Sequence, residues 1–134
     1  GVKQAVGAVD DGSLQVLAEA PPGFAVLGGD DPTMFPLVLL GGAGAISAAA
    51  HVCTRRFVEM TECALAGKVD EGRAHHEALL PVSRACFAEP NPAVFKGVLH
   101  QRGLIPTPDV RLPLTNASPG AVQRALDAIV AAGG

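Results

Sequence analysis

Phe24-Ala25-Val26-Leu27-Gly28-Gly29-Asp30-Asp31-Pro32 is the stretch from which the rest of the chain is read. A short apolar run that ends in a glycine turn, set between helix signals, predicts a strand buried on both faces. Asp31 ahead of Pro32 is expected to be a helix N-cap followed by proline at the first helical position, with Asp30 as a turn residue. Met34, Leu37 and Val38 then face inward until Gly41-Gly42 stops the helix. Working outward, Ala45 to Ala49 reads as a further apolar strand, entered through Gly42-Ala43-Gly44. On the other side, Pro21-Pro22-Gly23 ends a helix that Asp10 or Asp11 caps and whose Leu14, Leu17 and Ala18 lie three and four apart. Before it, Gly1-Val2-Lys3-Gln4-Ala5 reads as an interrupted apolar strand. Strand, helix, strand, helix, strand favours parallel pairing and an α/β fold. Three strand ends can then present one amine, that of Lys3, to one pocket.

From Val52 onward only helices are expected. Phe57, Met60, Ala64 and Leu65 repeat at helical spacing up to Gly67. In the next helix Asp70 is the expected cap and Ala74, Ala78, Val82 and Cys86 the inner stripe, with a kink at Pro81. Asn91-Pro92 opens a third helix bearing Val94, Phe95, Val98 and Leu99, closed at Gly103. Ile105 to Thr115 carries three prolines and reads as an extended connection. Ser118-Pro119 starts the last helix, with Val122, Ala125, Leu126, Ile129 and Val130 on its inner side. The expected division is therefore residues 1–52 as a strand-and-helix part and 53–134 as a helical region packed on it.

Composition narrows the function. With 49% apolar and 17% charged residues in 134, the chain can bury a core. Ten basic against thirteen acidic residues give a net charge of -3, which provides no broad positive field for phosphates, and Trp and Tyr are both absent, so no nucleic-acid partner is expected. The longest charge-free stretch, Pro32 to Ala50, is broken by Pro36 and several glycines, so no membrane span is expected either. Cys53, Cys63 and Cys86 are odd in number and form no Cys-x-x-Cys unit, which fits reduced thiols in a cytoplasmic protein. Position 1 is not Met, and the chain is expected to continue upstream of Gly1.

Lys3 carries the chemistry if anything does. A free lysine amine has a pKa near about 10.4, so Schiff-base chemistry requires a pocket that removes water or adds positive charge. On its own, Lys3 would read as a solvated lysine. Its neighbours change that reading. Gly1-Val2-Lys3-Gln4-Ala5, Gly28-Gly29-Asp30-Asp31, Gly44-Ala45-Ile46-Ser47 and Glu89-Pro90-Asn91-Pro92, in this order and spacing, resemble the C-terminal half of the dihydrodipicolinate synthase and N-acetylneuraminate lyase family of class I aldolases. The resemblance runs from Gly1 to about Leu114, and more weakly through the last helix.

What the resemblance implies is specific. The chain would supply strands six to eight of a (β/α)8 barrel, with the active site at the carboxyl ends of the strands, followed by a helical extension. Lys3 would form an imine with pyruvate, while Gly29 and Ile46 would line the pyruvate pocket. The reaction would be the condensation of pyruvate with aspartate semialdehyde in lysine biosynthesis, with no cofactor, in a homo-oligomer. Because the resemblance covers half the family's length, an N-terminal half-barrel, as a chain or a segment, is expected as partner, and the 134 residues alone are expected to be inactive. The family's tyrosine and threonine relay, and the arginine that binds the second substrate, belong to that other half. Where the family often has Ser-Val-Thr-Ala-Asn-Val this chain has Ser47-Ala48-Ala49-Ala50-His51-Val52, and Asn-Pro-Ile-Pro-Val-Lys becomes Asn91-Pro92-Ala93-Val94-Phe95-Lys96. These departures keep two alternatives open: another pyruvate-dependent lyase of the family acting on a sugar-derived 2-oxo acid, or a non-catalytic half-barrel that serves as an interaction protein.

Other candidates are weaker. His75 and His76 point about 100° apart on a helix and have no ligand partner at metal spacing, so no metal site is expected. Gly41-Gly42-Ala43-Gly44 precedes a strand instead of opening a helix, and no nucleotide fingerprint is present.

Overall fold

The computed structural model describes residues 1–134. Three short strands, β1 (Val2–Gln4), β2 (Val26–Gly28) and β3 (Gly44–Ala45), form one parallel sheet in the order β1-β2-β3. Lys3 pairs with Leu27 and Leu27 with Gly44; Gln4 pairs with Gly28 and Gly28 with Ala45. The crossovers run through α1 (Asp11–Glu19) and α2 (Met34–Leu39), and α2 follows a 3-10 turn at Asp31–Thr33. The expected Ala45–Ala49 strand is shorter than its apolar run suggests. It ends at Ala45, and Ala49–His51 turns as a 3-10 segment once Ser47 Oγ accepts the Ala50 N–H at 3.0 Å.

Side-chain alternation divides the sheet into two faces. A Cβ placed on Gly28 would meet Met34 and Leu37 at 3.3–3.4 Å, so that face is covered by α2. Gln4, in register with Gly28, lies on the same face, and its Nε2 donates to Ser13 Oγ of α1 at 2.9 Å. Lys3 and Leu27 therefore lie on the other face, against which no helix of the chain packs. The strand at Phe24–Leu27 was expected to be buried on both sides, but Val26 is buried and Leu27 only half-buried.

Asp10 is the cap of α1: its Oδ1 accepts the Ser13 N–H at 2.8 Å and the Ser13 hydroxyl at 2.7 Å, which holds its pKa below the ordinary carboxylate value. The stripe expected on this helix is not internal. Leu14 and Ala18 are exposed and Leu17 half-buried; Ser13 is the one buried residue of α1, because nothing in the chain packs over the rest.

The helices that follow share one core with α2. The helices α3 (Thr54–Leu65), α4 (Val69–Cys86), α5 (Ala93–Gln101) and α6 (Pro119–Ala131) bury Phe57, Met60, Val82, Val94, Val98 and Ile129, all within a core of 20 residues. Met34, Phe35 and Val38 of α2 belong to the same core. Each such aliphatic or aromatic side chain contributes about 1.5–3 kcal/mol on burial. Ser118 caps α6 as expected, its Oγ accepting the Ala121 N–H at 3.2 Å. Glu89 in turn accepts from both the N–H and the hydroxyl of Ser118, which depresses its pKa.

Three expectations fail in detail. Asp70 does not cap α4; the cap position is Lys68, which makes no side-chain bond, and Asp70 lies in the first turn beside Arg73. The inner side of α4 is Gly72, Leu79, Val82, Ser83 and Cys86, with Ala74 outside and Ala78 half-buried. Leu65 and Val130 are exposed, each at the edge of its stripe, and Leu126 is only half-buried. His75 and His76 lie at the core edge, with His76 stacked on Phe35 at 5.4 Å and its pKa lowered by burial. All three thiols are free, and burial pushes Cys86 up to about 12, with smaller contributions from Cys53 and Asp31.

Candidate functional site

The parallel strands place three loops side by side at their carboxyl ends. Backbone bonds fix how far each ladder runs: Gly29 N–H donates to Gln4 O at 2.7 Å on one side of β2, and Ile46 N–H donates to Gly28 O at 2.8 Å on the other. The three residues singled out from the sequence therefore sit on adjacent strand ends. Lys3 and Gly29 are in contact. A Cβ on Gly29 would lie 2.7 Å from Lys3 Cε, 2.8 Å from Lys3 Cγ and 2.6 Å from Ala5 Cβ. Only glycine leaves room for the lysine stem to cross the backbone here. Ile46, 49% exposed, begins the loop on the far side of β2.

Two carboxylates tie these loops together. Asp30 Oδ2 accepts the Gly7 N–H at 2.6 Å, reaching the loop that follows Lys3. Asp31, 3% exposed, accepts the Ala49 N–H through Oδ2 at 3.0 Å, while its Oδ1 has no hydrogen-bond partner. Asp31 is thus not the helix cap expected from Asp-Pro. The cap position is Asp30, which makes no capping bond, and the Asp31 carboxylate points across to the β3 loop. Sequence reading missed both roles because the partners lie 23 and 18 residues away. The one local sign is two adjacent acceptors directly after a strand.

Chemically, the arrangement offers a primary amine at a strand end, open backbone at Gly29 and an apolar side chain at Ile46. Lys3 is exposed, since the face of the sheet on which it lies is bare. The chain has no tyrosine to relay protons, and no group of three or more His, Cys, Asp or Glu is arranged to hold a metal. A cavity of about 560 Å³ lies elsewhere, at the start of α3, and is lined by His51, Arg55, Arg56, Glu59 and Arg102 among others. It includes none of Lys3, Gly29 or Ile46. The strand-end surface is the better candidate because it joins a nucleophile to a backbone approach. No helix is long and apolar enough to cross a membrane.

Comparison with known proteins shows the family and the fold. The model of the dihydrodipicolinate synthetase family matches residues 1–132. The 4-hydroxy-tetrahydrodipicolinate synthase of Cellvibrio japonicus is 45% identical over 118 residues, covering 88% of this chain and 40% of that protein. That of Neisseria gonorrhoeae is 38% identical over 133 residues, or 99% of this chain and 45% of the other. Among solved structures, the dihydrodipicolinate synthase of Thermotoga maritima superposes with a TM-score of 0.91 at 30% identity, over 99% of this chain and 45% of that one. The dihydrodipicolinate synthase of Acinetobacter baumannii, chloride-inhibited and complexed with pyruvate, superposes at 0.87 and 32% identity, over 99% and 45%. The chain spans less than half the length of these relatives. With a family model that runs from the Lys3 strand to the end of α6, the chain belongs to the dihydrodipicolinate synthetase family.

Proposed function

We propose that this chain forms the C-terminal part of a Schiff-base lyase that condenses pyruvate with aspartate semialdehyde, with Lys3 as the nucleophile. Residues 1–52 are a partial barrel, its three strands being strands six to eight of a (β/α)8 barrel, and residues 53–134 are the helical extension packed on it. The Lys3 amine adds to the C2 carbonyl of pyruvate and water leaves, giving an imine. The protonated imine accepts the electron pair freed when the methyl group loses a proton, and the resulting enamine carbon attacks the aldehyde. Gly29 lets the backbone lie close to the imine, and Ile46 covers the apolar side of pyruvate. No cofactor is needed, since the iminium is the electron sink.

The observation that carries this reading is the contact of the Lys3 stem with Gly29 at the carboxyl end of a parallel sheet. The relative from Acinetobacter baumannii, solved with pyruvate, supports the substrate class. The bare sheet face and the unpaired edges of β1 and β3 support a partner, because parallel strands are ordinarily covered on both faces and exposed edges invite association. That partner is the remaining part of the barrel, which supplies the proton relay and the groups that select the aldehyde. The 134 residues alone are therefore inactive. The working unit is a cytoplasmic homo-oligomer.

Borohydride reduction in the presence of pyruvate tests the reading, in an assembly that holds both parts of the barrel. The expected result is one reduced pyruvate on the peptide that contains Lys3, and none in Lys3→Ala. An unmodified Lys3 peptide under these conditions would overturn it.

A further inference from the structure

We propose that Asp30 and Asp31 are positioning residues for the Lys3 site, a two-sided clamp that holds the β1 and β3 loops against the β2 loop where the backbone ladders stop. The proposal rests on the Schiff-base reading above for its consequence, though not for its geometry.

The strands are two or three residues long, so the ladders end early. On the β1 side the last backbone bond is Gly29 N–H to Gln4 O; on the β3 side it is Ile46 N–H to Gly28 O. Beyond these points the loops that carry the site have no main-chain tie to β2. The next tie on each side is a carboxylate: Asp30 to the Gly7 N–H and Asp31 to the Ala49 N–H. Asp30 has extended backbone, φ -118° and ψ 117°, so neighbouring side chains point in opposite directions and two adjacent aspartates reach opposite neighbours.

The two halves of the clamp are unequal. The Asp31–Ala49 bond is buried, and Ala49 is fully buried. As the first residue of its 3-10 turn, Ala49 has an N–H without an acceptor inside that turn. Removing the carboxylate strands a buried donor and frees the loop that starts at Ile46. The Asp30–Gly7 bond is exposed, and water replaces it when it is lost. Asp31 therefore carries more of the positioning. Its unpartnered Oδ1 is a costly feature for a merely structural carboxylate, since one oxygen suffices for the bond to Ala49.

The test compares Asp31→Ala, Asp31→Asn and Asp30→Ala with the parent, in an assembly holding both parts of the barrel. The rate of borohydride-trapped imine at saturating pyruvate is read together with amide exchange at Gly7 and Ala49. In Asp31→Ala the trapping rate falls by about 10- to 100-fold at an unchanged folded fraction, as displaced reacting groups do. Ala49 exchanges faster and Gly7 does not. Asp31→Asn, which keeps an acceptor, restores most of the rate. Asp30→Ala shows the mirror pattern, faster exchange at Gly7 only, with a rate loss of less than about 10-fold. A parental trapping rate in folded Asp31→Ala would overturn the clamp and leave the Schiff-base reading standing. If the parent itself traps no pyruvate, that reading fails and amide exchange decides the geometry alone. Unchanged exchange at Ala49 in Asp31→Ala would then overturn the clamp as well.

Discussion

Residues 1–52 and 53–134 bury their apolar side chains by different rules. In the helical part, side chains spaced three and four apart point at one another: Phe57 and Met60 on α3, Val94 and Val98 on α5, Val122, Ala125 and Ile129 on α6 all enter the core. In the sheet part α2 joins that core while Val2, Leu14, Phe24 and Ile46 stay exposed; the helices expose Val58, Leu65, Val69 and Val130 too, but the sheet has a whole face with no helix of the chain over it. A layer of helices that shares its core with α2 and a sheet layer open on one face share a chain. The open one carries the amine, the close glycine and both bridging carboxylates, and its short strands are held by few bonds. Under the proposed function the chemistry sits on the open face, as a site shared with the rest of a barrel requires.

The same substitution in each part should break in different ways. Gly29→Ala places a methyl 2.7 Å from Lys3 Cε and 2.6 Å from Ala5 Cβ. The lysine stem must move, and we expect trapping of pyruvate on Lys3 to fall by about 100-fold with little change in thermal midpoint. A normal rate in this variant would remove Gly29 from the site. Gly97→Ala, on α5, places its methyl 2.5 Å from Cγ2 of Val122 on α6. Val122 is buried and has a stiff χ1, so overpacking costs about 1–3 kcal/mol, more than the roughly 1 kcal/mol that a helix gains from Gly to Ala. The expected result is a lower thermal midpoint with imine formation per folded molecule unchanged. A rate change in Gly97→Ala at constant stability would mean that the two parts are coupled through α5 and α6.

The same difference explains what the sequence could and could not tell. Ser118-Pro119 with Val122, Ala125 and Ile129 is a local pattern whose partners lie in the chain, and α6 forms as the pattern indicates. Leu14, Leu17 and Ala18 make an equally regular pattern, yet no element of the chain packs over it, so periodicity foretold a helix and not its burial. Ala45 to Ala49 looked like a strand because it is apolar; two residues pair, and the Ser47 hydroxyl starts a turn that composition does not reveal. Lys3, Gly29 and Ile46 were singled out as a set through family resemblance alone, since no rule of spacing links residues 3, 29 and 46. Asp31 was misread because Asp-Pro is a local cap signal, whereas its acceptor role depends on Ala49 across the sheet. Gly72 went unnoticed on α4 because its contribution is a missing side chain.

The smallest expected effect distinguishes the two parts by pH. Each contains a carboxylate held below its ordinary pKa by hydrogen bonds from a serine: Asp10 by Ser13 at the start of α1, and Glu89 by Ser118 at the start of α6. A depressed carboxylate stabilises the fold fully above its unfolded pKa, near about 3.9 for aspartate and 4.3 for glutamate, and loses that contribution as pH falls through the lower folded value. Both side chains are exposed to solvent, so the effect on global stability is small and the sensitive readout is local. Followed by NMR as the pH is lowered, both carboxyls should titrate below these ordinary values. The Ser13 and Ser118 amides should lose protection over the same range, while the buried amides of Val94 and Ile129 keep theirs. The comparison turns on reach. Asp10 and Ser13 are neighbours in sequence, so protonation should release the first turn of α1 and nothing else. Glu89 and Ser118 lie 29 residues apart, so protonation should also loosen the 102–118 connection that joins α5 to α6. Equal, strictly local changes at the two sites would show that the Glu89 bond follows the packing of α6 instead of helping to place it.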